Sequence, residues 1–310
     1  MAVLGQLAWA VIPPALFWLY CEGRGQSPTW WLGAAGLVAG WLLAGGALLV
    51  GQRWNLDFMA LARRSPLGFP GVFLLGTALR QLLAVGPIEE GAKFLGALLA
   101  SAALAQLQRR SPATVFSAAT AIACGFTAHE TWLYLASGQA SAFERLLGTP
   151  VHALFAAPYG YALAMGGGGP LLAGLLQGIG FHALVNWLSS TARFPETRFL
   201  SYGFFPLLVW LFWRFEMLQR RSRDRVPLTL ISGRTRAERW WQRGLVAFAL
   251  ALGGNSLLGV LLLGRAIASA GWGVLEGRWL LFLSRDVVSA LLAWGIWVYL
   301  RRTARRRHLP

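Results

Sequence analysis

Nine glutamates and three aspartates are the only acidic residues in this chain, and three of the glutamates, Glu89, Glu90 and Glu130, fall inside long apolar runs. The single lysine, Lys93, lies one helical turn beyond the first two, while every other Lys/Arg-type cation is an arginine. Three of the four histidines, His129, His152 and His182, also lie within apolar runs. On a helix, Glu89 and Lys93 are four apart and Glu90 and Lys93 three apart, so the lysine can neutralise either carboxylate. The two carboxylates point about 100° apart. They can hardly both be ionised in a low dielectric, and a carboxyl group holding its proton near neutral pH suits general acid or base chemistry.

A charged residue at membrane depth costs about 2.5–3.5 kcal/mol on insertion scales, so such groups are expected to face one another or a wet cavity. The surrounding composition establishes the membrane setting. Of the 310 residues, 56% are hydrophobic and 13% charged, about half the charged fraction of a soluble domain. The expected class is all-α: a polytopic membrane bundle of about ten transmembrane helices, since a span needs roughly 20 apolar residues. The expected spans are 2–20, 30–51, 70–85, 88–107, 113–137, 149–166, 170–190, 199–217, 244–264 and 278–300. The third and fourth are separated at Gly86-Pro87, a natural break in a run too long for one crossing. Residues 1–217 form an eight-span core, 218–243 a basic cytoplasmic linker, and 244–310 a C-terminal hairpin with a basic tail. Pro13-Pro14 and the absence of a positive leader make the first run a span rather than a signal peptide.

The net charge of +16 does not imply nucleic acid, because the arginines flank apolar runs and no basic folded module is present. With the N-terminus inside, ten spans place 18 arginines on the cytoplasmic side: Arg53, Arg63, Arg64, Arg109, Arg110, eight from Arg220 to Arg243, and five in the tail. Six lie outside: Arg24, Arg145, Arg193, Arg198, Arg265 and Arg278. The positive-inside rule favours this orientation, with both termini cytoplasmic. On it, Glu89, Glu90, Glu130, His152, His182 and Asn186 all fall within about 12 Å of the outer boundary.

Simpler readings apply to several residues. Glu89, Glu90 and Lys93 could form an ion pair at a helix start, and His152 could be a satisfied interhelical hydrogen bonder. His129 adjoins Glu130 but points elsewhere. Arg80 either pairs with a glutamate or snorkels, and Arg285-Asp286 is expected to be a local pair. The 16 tryptophans fit an interfacial belt. Cys21 and Cys124 offer neither a disulfide framework nor a metal spacing. Gly166 to Gly169 make a turn, with no Lys-Ser/Thr following to hold phosphate. A gluzincin helix needs a histidine where Leu133 stands. Asp57, Asp224 and Asp286 lack an aspartyl-protease context, and Ser137 lacks a rhomboid-like one. A glutamate-activated water, with or without a metal, is the hydrolytic chemistry left.

At these residues the sequence resembles the PrsW family of intramembrane proteases, relatives of CAAX-processing enzymes. The resemblance spans roughly Pro70 to Trp187 and rests on Glu89-Glu90-Gly-Ala-Lys93, Gly125-Phe126-Thr-Ala-His129-Glu130, Pro150-Val-His152 with Phe155, and His182-Ala-Leu-Val-Asn186. Thr131 stands where the family often has asparagine. The resemblance implies an endopeptidase of the bacterial plasma membrane that cleaves membrane-anchored proteins, in some members anti-sigma factors. It implies that Glu89 or Glu90 activates water, with Lys93 tuning it and Glu130 and His152 positioning water or metal. His182 and Asn186 would donate to the oxyanion. Alternatively, His152, His182 and Glu130 would be ligands of a catalytic Zn2+ with an open fourth position. A transporter or proton-coupled carrier could use the same Glu/Lys/His cluster as a relay, although carriers usually bind at the midplane between repeats.

Overall fold

In the computed structural model the described residues are 3–22, 30–53, 57–166, 168–225, 230–270 and 278–308. Ala2, Arg24 and Gly167, used above, lie outside them. Every regular element among the described residues is helical: α1 Val3–Glu22, α2 Trp30–Arg53, α3 Phe58–Ala62, α4 Phe69–Arg80, α5 Gly86–Gln106, α6 Pro112–Ala136 and α7 Ala142–Gly148. They continue with α8 Val151–Met165, α9 Gly168–Thr191, α10 Arg198–Ser201, α11 Phe204–Ser222, α12 Arg236–Ala270 and α13 Arg278–His308. A π-helical turn, Gln81–Val85, joins α4 to α5. Six helical stretches among the described residues are long and apolar enough to cross a membrane, including Phe69–Gln106 taken as one. The chain is therefore a multi-pass membrane protein.

The core is built on α6, whose residues from Val115 to Ala128 are all buried. Its alanines, threonines and Gly125 are less apolar than a lipid-facing helix requires, and packing on neighbouring helices removes that requirement. Small residues allow backbones to approach closely. A Cβ on Gly40 of α2 would run into the carbonyl of Ile122, and one on Gly125 of α6 into that of Leu37. Ser111 caps α6 with a reciprocal capping box to Thr114, satisfying two otherwise orphaned groups.

The contacts fix relative direction. Gly36 faces Ala121, Gly40 faces Ile122, and Gly45 lies near His129, so α2 and α6 run parallel. Gly96 of α5 meets Leu43 and Ile122, while Ile88 and Ala92 pack on Ala47 and Phe126, so α5 runs opposite to both. The ten-span reading had α2 and α6 opposed. The correction lies at Gly86-Pro87, which does not break the chain: helix continues from Phe69 to Gln106. Pro87 lacks an N–H, and the Gly86 N–H instead closes a wider turn on the Gln81 carbonyl, the local π adjustment that lets membrane helices carry proline. Among the described residues this stretch is therefore one candidate span where the reading had two. Helix also passes through Pro13 and Pro14 in α1.

In the C-terminal hairpin, Gly259 of α12 packs against Asp286 of α13. Asp286 pairs with Arg285 at 3.1 Å, as expected, and its backbone carbonyl accepts from Ser256 Oγ at 2.8 Å. Gly254 lets α12 approach Pro206 of α11, and Arg265 of α12 pairs with Glu144 of α7. Helix extends into both ends of the expected 218–243 linker, since α11 runs to Ser222 and α12 starts at Arg236.

Candidate active site

Glu90 lies at the centre of four helices, with no exposed surface. Its Oε1 accepts from Lys93 Nζ at 2.6 Å and from His182 Nδ1 at 2.7 Å, and its Oε2 accepts from Tyr159 OH at 3.2 Å. Of the two spacings open to Lys93, the three-residue one is used. A buried carboxylate is tolerated only when paired and hydrogen-bonded, and this one has three donors. Lys93 is itself 1% exposed, lies over the Phe126 ring and reaches His152 Nδ1 at 2.8 Å.

Because the ammonium donates to Nδ1, His152 carries its proton on Nε2, which donates to Glu130 Oε2 at 2.6 Å. The same Oε2 accepts from Arg145 at 3.2 Å, and Arg145 is braced by Thr131 Oγ1 and the Tyr134 ring. Thus α5, α6, α8 and α9, with Arg145 from α7, are joined by one run of polar contacts. Phe155 stacks on His182, with ring centroids 5.1 Å apart.

Glu89 is different. Its Oε2 is buried without a hydrogen-bond partner and lies 3.9 Å from His182 Nε2. His182 Nδ1 lies 2.7 Å from Glu90 Oε1, and a neutral ring donating there turns its Nε2 lone pair toward Glu89. Glu89 Oε2 and His182 Nε2 thus face each other without a hydrogen bond. Ligand atoms of Glu89, His152 and His182 all lie within 4.8 Å of one another. Two imidazoles and a carboxylate are the donor set of hydrolytic zinc sites, and Glu90 behind His182 is the outer carboxylate that orients such ligands. The residues fit a metal ion. Glu130, expected as the third ligand, is bonded to His152 and Arg145, and Glu89 completes the mutual trio.

A cavity of about 640 Å³ opens beside this cluster and is lined by Glu89, Glu130, His129, Arg80, Gln81 and Asn186, among others. Asn186 Nδ2 donates to Gln81 Oε1 at 3.0 Å. His129 turns from the cluster, with Trp41 edge-on at 5.1 Å. Arg80 lines the cavity without an ion pair to either glutamate among the described residues. Glu90, Lys93, His152 and His182 are thus in direct contact, with Glu89 and Glu130 at the cavity wall and Asn186 farther along it.

Three partners were not foreseen. Tyr159 follows His152 by seven residues and so shares its helix face, a signal present in the sequence. Gln81 is a lone amide in an apolar run, and only the π turn brings it to Asn186. Arg145 gave no signal beyond its place in a loop.

A model of the PrsW family of intramembrane metalloproteases matches residues 27–211, more than half of the chain. The match takes in every residue of the cluster and leaves out α12 and α13. Searches of curated proteins and of solved structures gave no match.

Proposed function

We propose that this chain, which belongs to the PrsW family of intramembrane metalloproteases, cleaves membrane-anchored proteins by water attack at the Glu89–Glu130–His152–His182 cluster. As a member of that family it is an intramembrane protease acting on proteins in a membrane setting; the substrate class and the roles below are our reading. The observation that carries them is the orphaned Oε2 of Glu89 facing the Nε2 of His182, with His152 within ligand distance of both.

Glu89, His152 and His182 would hold the metal, and zinc suits their donor set. A bound zinc ion supplies Lewis acidity toward a peptide carbonyl and a water more acidic than bulk water. Around it, Glu90 accepts from His182 Nδ1 and so keeps Nε2 turned to Glu89. Lys93 neutralises Glu90 and fixes the His152 ring. His152 would hold the metal through Nε2 as a neutral imidazole, its one proton moved to Nδ1, its bond to Glu130 released and Lys93 then held by Glu90 alone. Glu130 Oε2 is then free to take the proton of the attacking water and return it to the leaving amine. Arg145 holds the Glu130 carboxylate in place. Asn186, whose second amide hydrogen is not needed by Gln81, can donate to the developing oxyanion.

We also propose an orientation. Treating Phe69–Gln106 as one crossing places Arg109, Arg110, the eight arginines from Arg220 to Arg243 and the tail on one face. That face is cytoplasmic by the positive-inside rule. Glu130, near the end of α6, and His152, at the start of α8, lie toward the opposite face, so cleavage is assigned to the outer half of a bacterial plasma membrane. Single-span proteins of the anti-sigma-factor kind are substrates of the right form. The off-centre cluster and the family match favour this reading over a carrier.

The test separates the two carboxylates. Glu89→Gln is expected to lower both bound metal and cleavage of a membrane-anchored reporter. Glu130→Gln is expected to keep the metal while slowing cleavage by about a hundredfold to ten-thousandfold. Metal content would be read by elemental mass spectrometry of purified protein. If Glu89→Gln kept its metal and Glu130→Gln lost it, the two roles would be exchanged. If both cleaved normally, the assignment would fail.

A further inference from the structure

Between α11 and the C-terminal hairpin, largely beyond the stretch matched by the family model, lies a cavity of about 380 Å³. Its walls are mainly apolar, with Phe212 on α11, Leu250 on α12 and Trp297 on α13. Two nitrogens that reach it, Trp213 Nε1 and Arg301 Nε, are buried without hydrogen-bond partners. A buried donor left unsatisfied is costly, and two lining one cavity indicate that an acceptor belongs there.

The charge around them specifies the acceptor. Arg220 and Arg301 both line the cavity, and Glu216, the only carboxylate among its described lining residues, is engaged by Arg220 Nε at 2.8 Å. Arg301 is held by the Trp297 ring, 4.9 Å below its guanidinium. The cavity lies where α11 enters its arginine-rich end, Arg220-Arg221, and where α13 reaches Arg301-Arg302. In the orientation proposed above, this end of the helices lies toward the cytoplasmic face, where arginines attract anionic lipid.

We propose that this cavity binds a phospholipid with an anionic headgroup, bracing the hairpin against the family core. Its phosphate oxygens accept from Trp213 Nε1 and Arg301 Nε, while an acyl chain runs along the apolar wall. Among the described lining residues the one carboxylate, Glu216, is engaged by Arg220 and does not offer itself to a choline or ethanolamine cation, which sets the preference for an anionic lipid. The site is independent of the catalytic cluster.

The experiment uses the full-length protein in detergent and follows thermal unfolding during titration with dioleoylphosphatidylglycerol, dioleoylphosphatidylcholine or inorganic phosphate. Phosphatidylglycerol is expected to raise the midpoint with concentration, and the other two to shift it little. Arg301→Gln and Trp213→Phe should each weaken the apparent affinity for phosphatidylglycerol by about tenfold or more, as loss of a charge-assisted hydrogen bond does. Trp213→Phe removes only the indole N–H function and keeps most of the ring volume, so it serves if Arg301→Gln does not fold. An equal response to phosphatidylcholine would overturn the proposal. So would a full response to phosphate alone, or wild-type affinity in a folded variant of either residue.

Discussion

At the level of single residues, two neighbouring glutamates have come to do different work. Glu90 is saturated by Lys93, His182 and Tyr159, whereas the Oε2 of Glu89 has no partner. Removing one member of a buried ion pair strands the other, at a cost of about 3–5 kcal/mol. Glu90→Gln is therefore expected to lower the thermal unfolding midpoint sharply, and Glu89→Gln to leave it unchanged or raised; paired melting curves check this, and equal midpoints would contradict it. That charges gather here was legible, because Glu89, Glu90, Lys93 and Glu130 lie in apolar sequence where each is expensive. Which glutamate pairs with Lys93 was not, because spacings of three and four both allow contact. Gln81 was hidden for another reason: a single amide carries little penalty and so stands out little.

At the level of helices, the decisive feature is the unbroken run from α4 through the π turn into α5. Sequence punctuation at Gly86-Pro87 marked a break, and the backbone absorbed it with the Gly86-to-Gln81 bond. Thirty-eight residues in one run exceed the roughly 30 Å bilayer core at 1.5 Å per residue, which tilt and protrusion accommodate. Other boundaries were legible, since α1, α2, α6, α8 and α9 begin and end close to the expected bounds of their spans. The parallel course of α2 and α6 has a direct test. Cysteines introduced at Gln52 and at Gly138 should be labelled by a membrane-impermeant maleimide from the same side. The native Cys21 and Cys124 are buried and give little background. Labelling from opposite sides would restore the split at Gly86-Pro87.

Over the whole molecule, the proposed orientation puts the N-terminus on the face opposite the C-terminal arginines. Reporter fusions should accordingly place the C-terminus in the cytoplasm and the N-terminus outside, with both termini inside as the contrary result. Glu130 near the end of α6 and His152 near the start of α8 stay toward the same face in either arrangement. Membrane class, the helices and most members of the site were thus open to reading from composition and costly charges. The traverse of the chain depended on one turn that only the backbone geometry resolves. In the proposed mechanism, proteolysis depends on a metal held by Glu89, His152 and His182. Cleavage of a membrane-anchored reporter by purified protein, stripped with a chelator and then reloaded with zinc, tests it most directly. Activity should vanish on stripping and return on reloading in wild-type protein but not in His182→Ala. Undiminished cleavage by the stripped enzyme would contradict it.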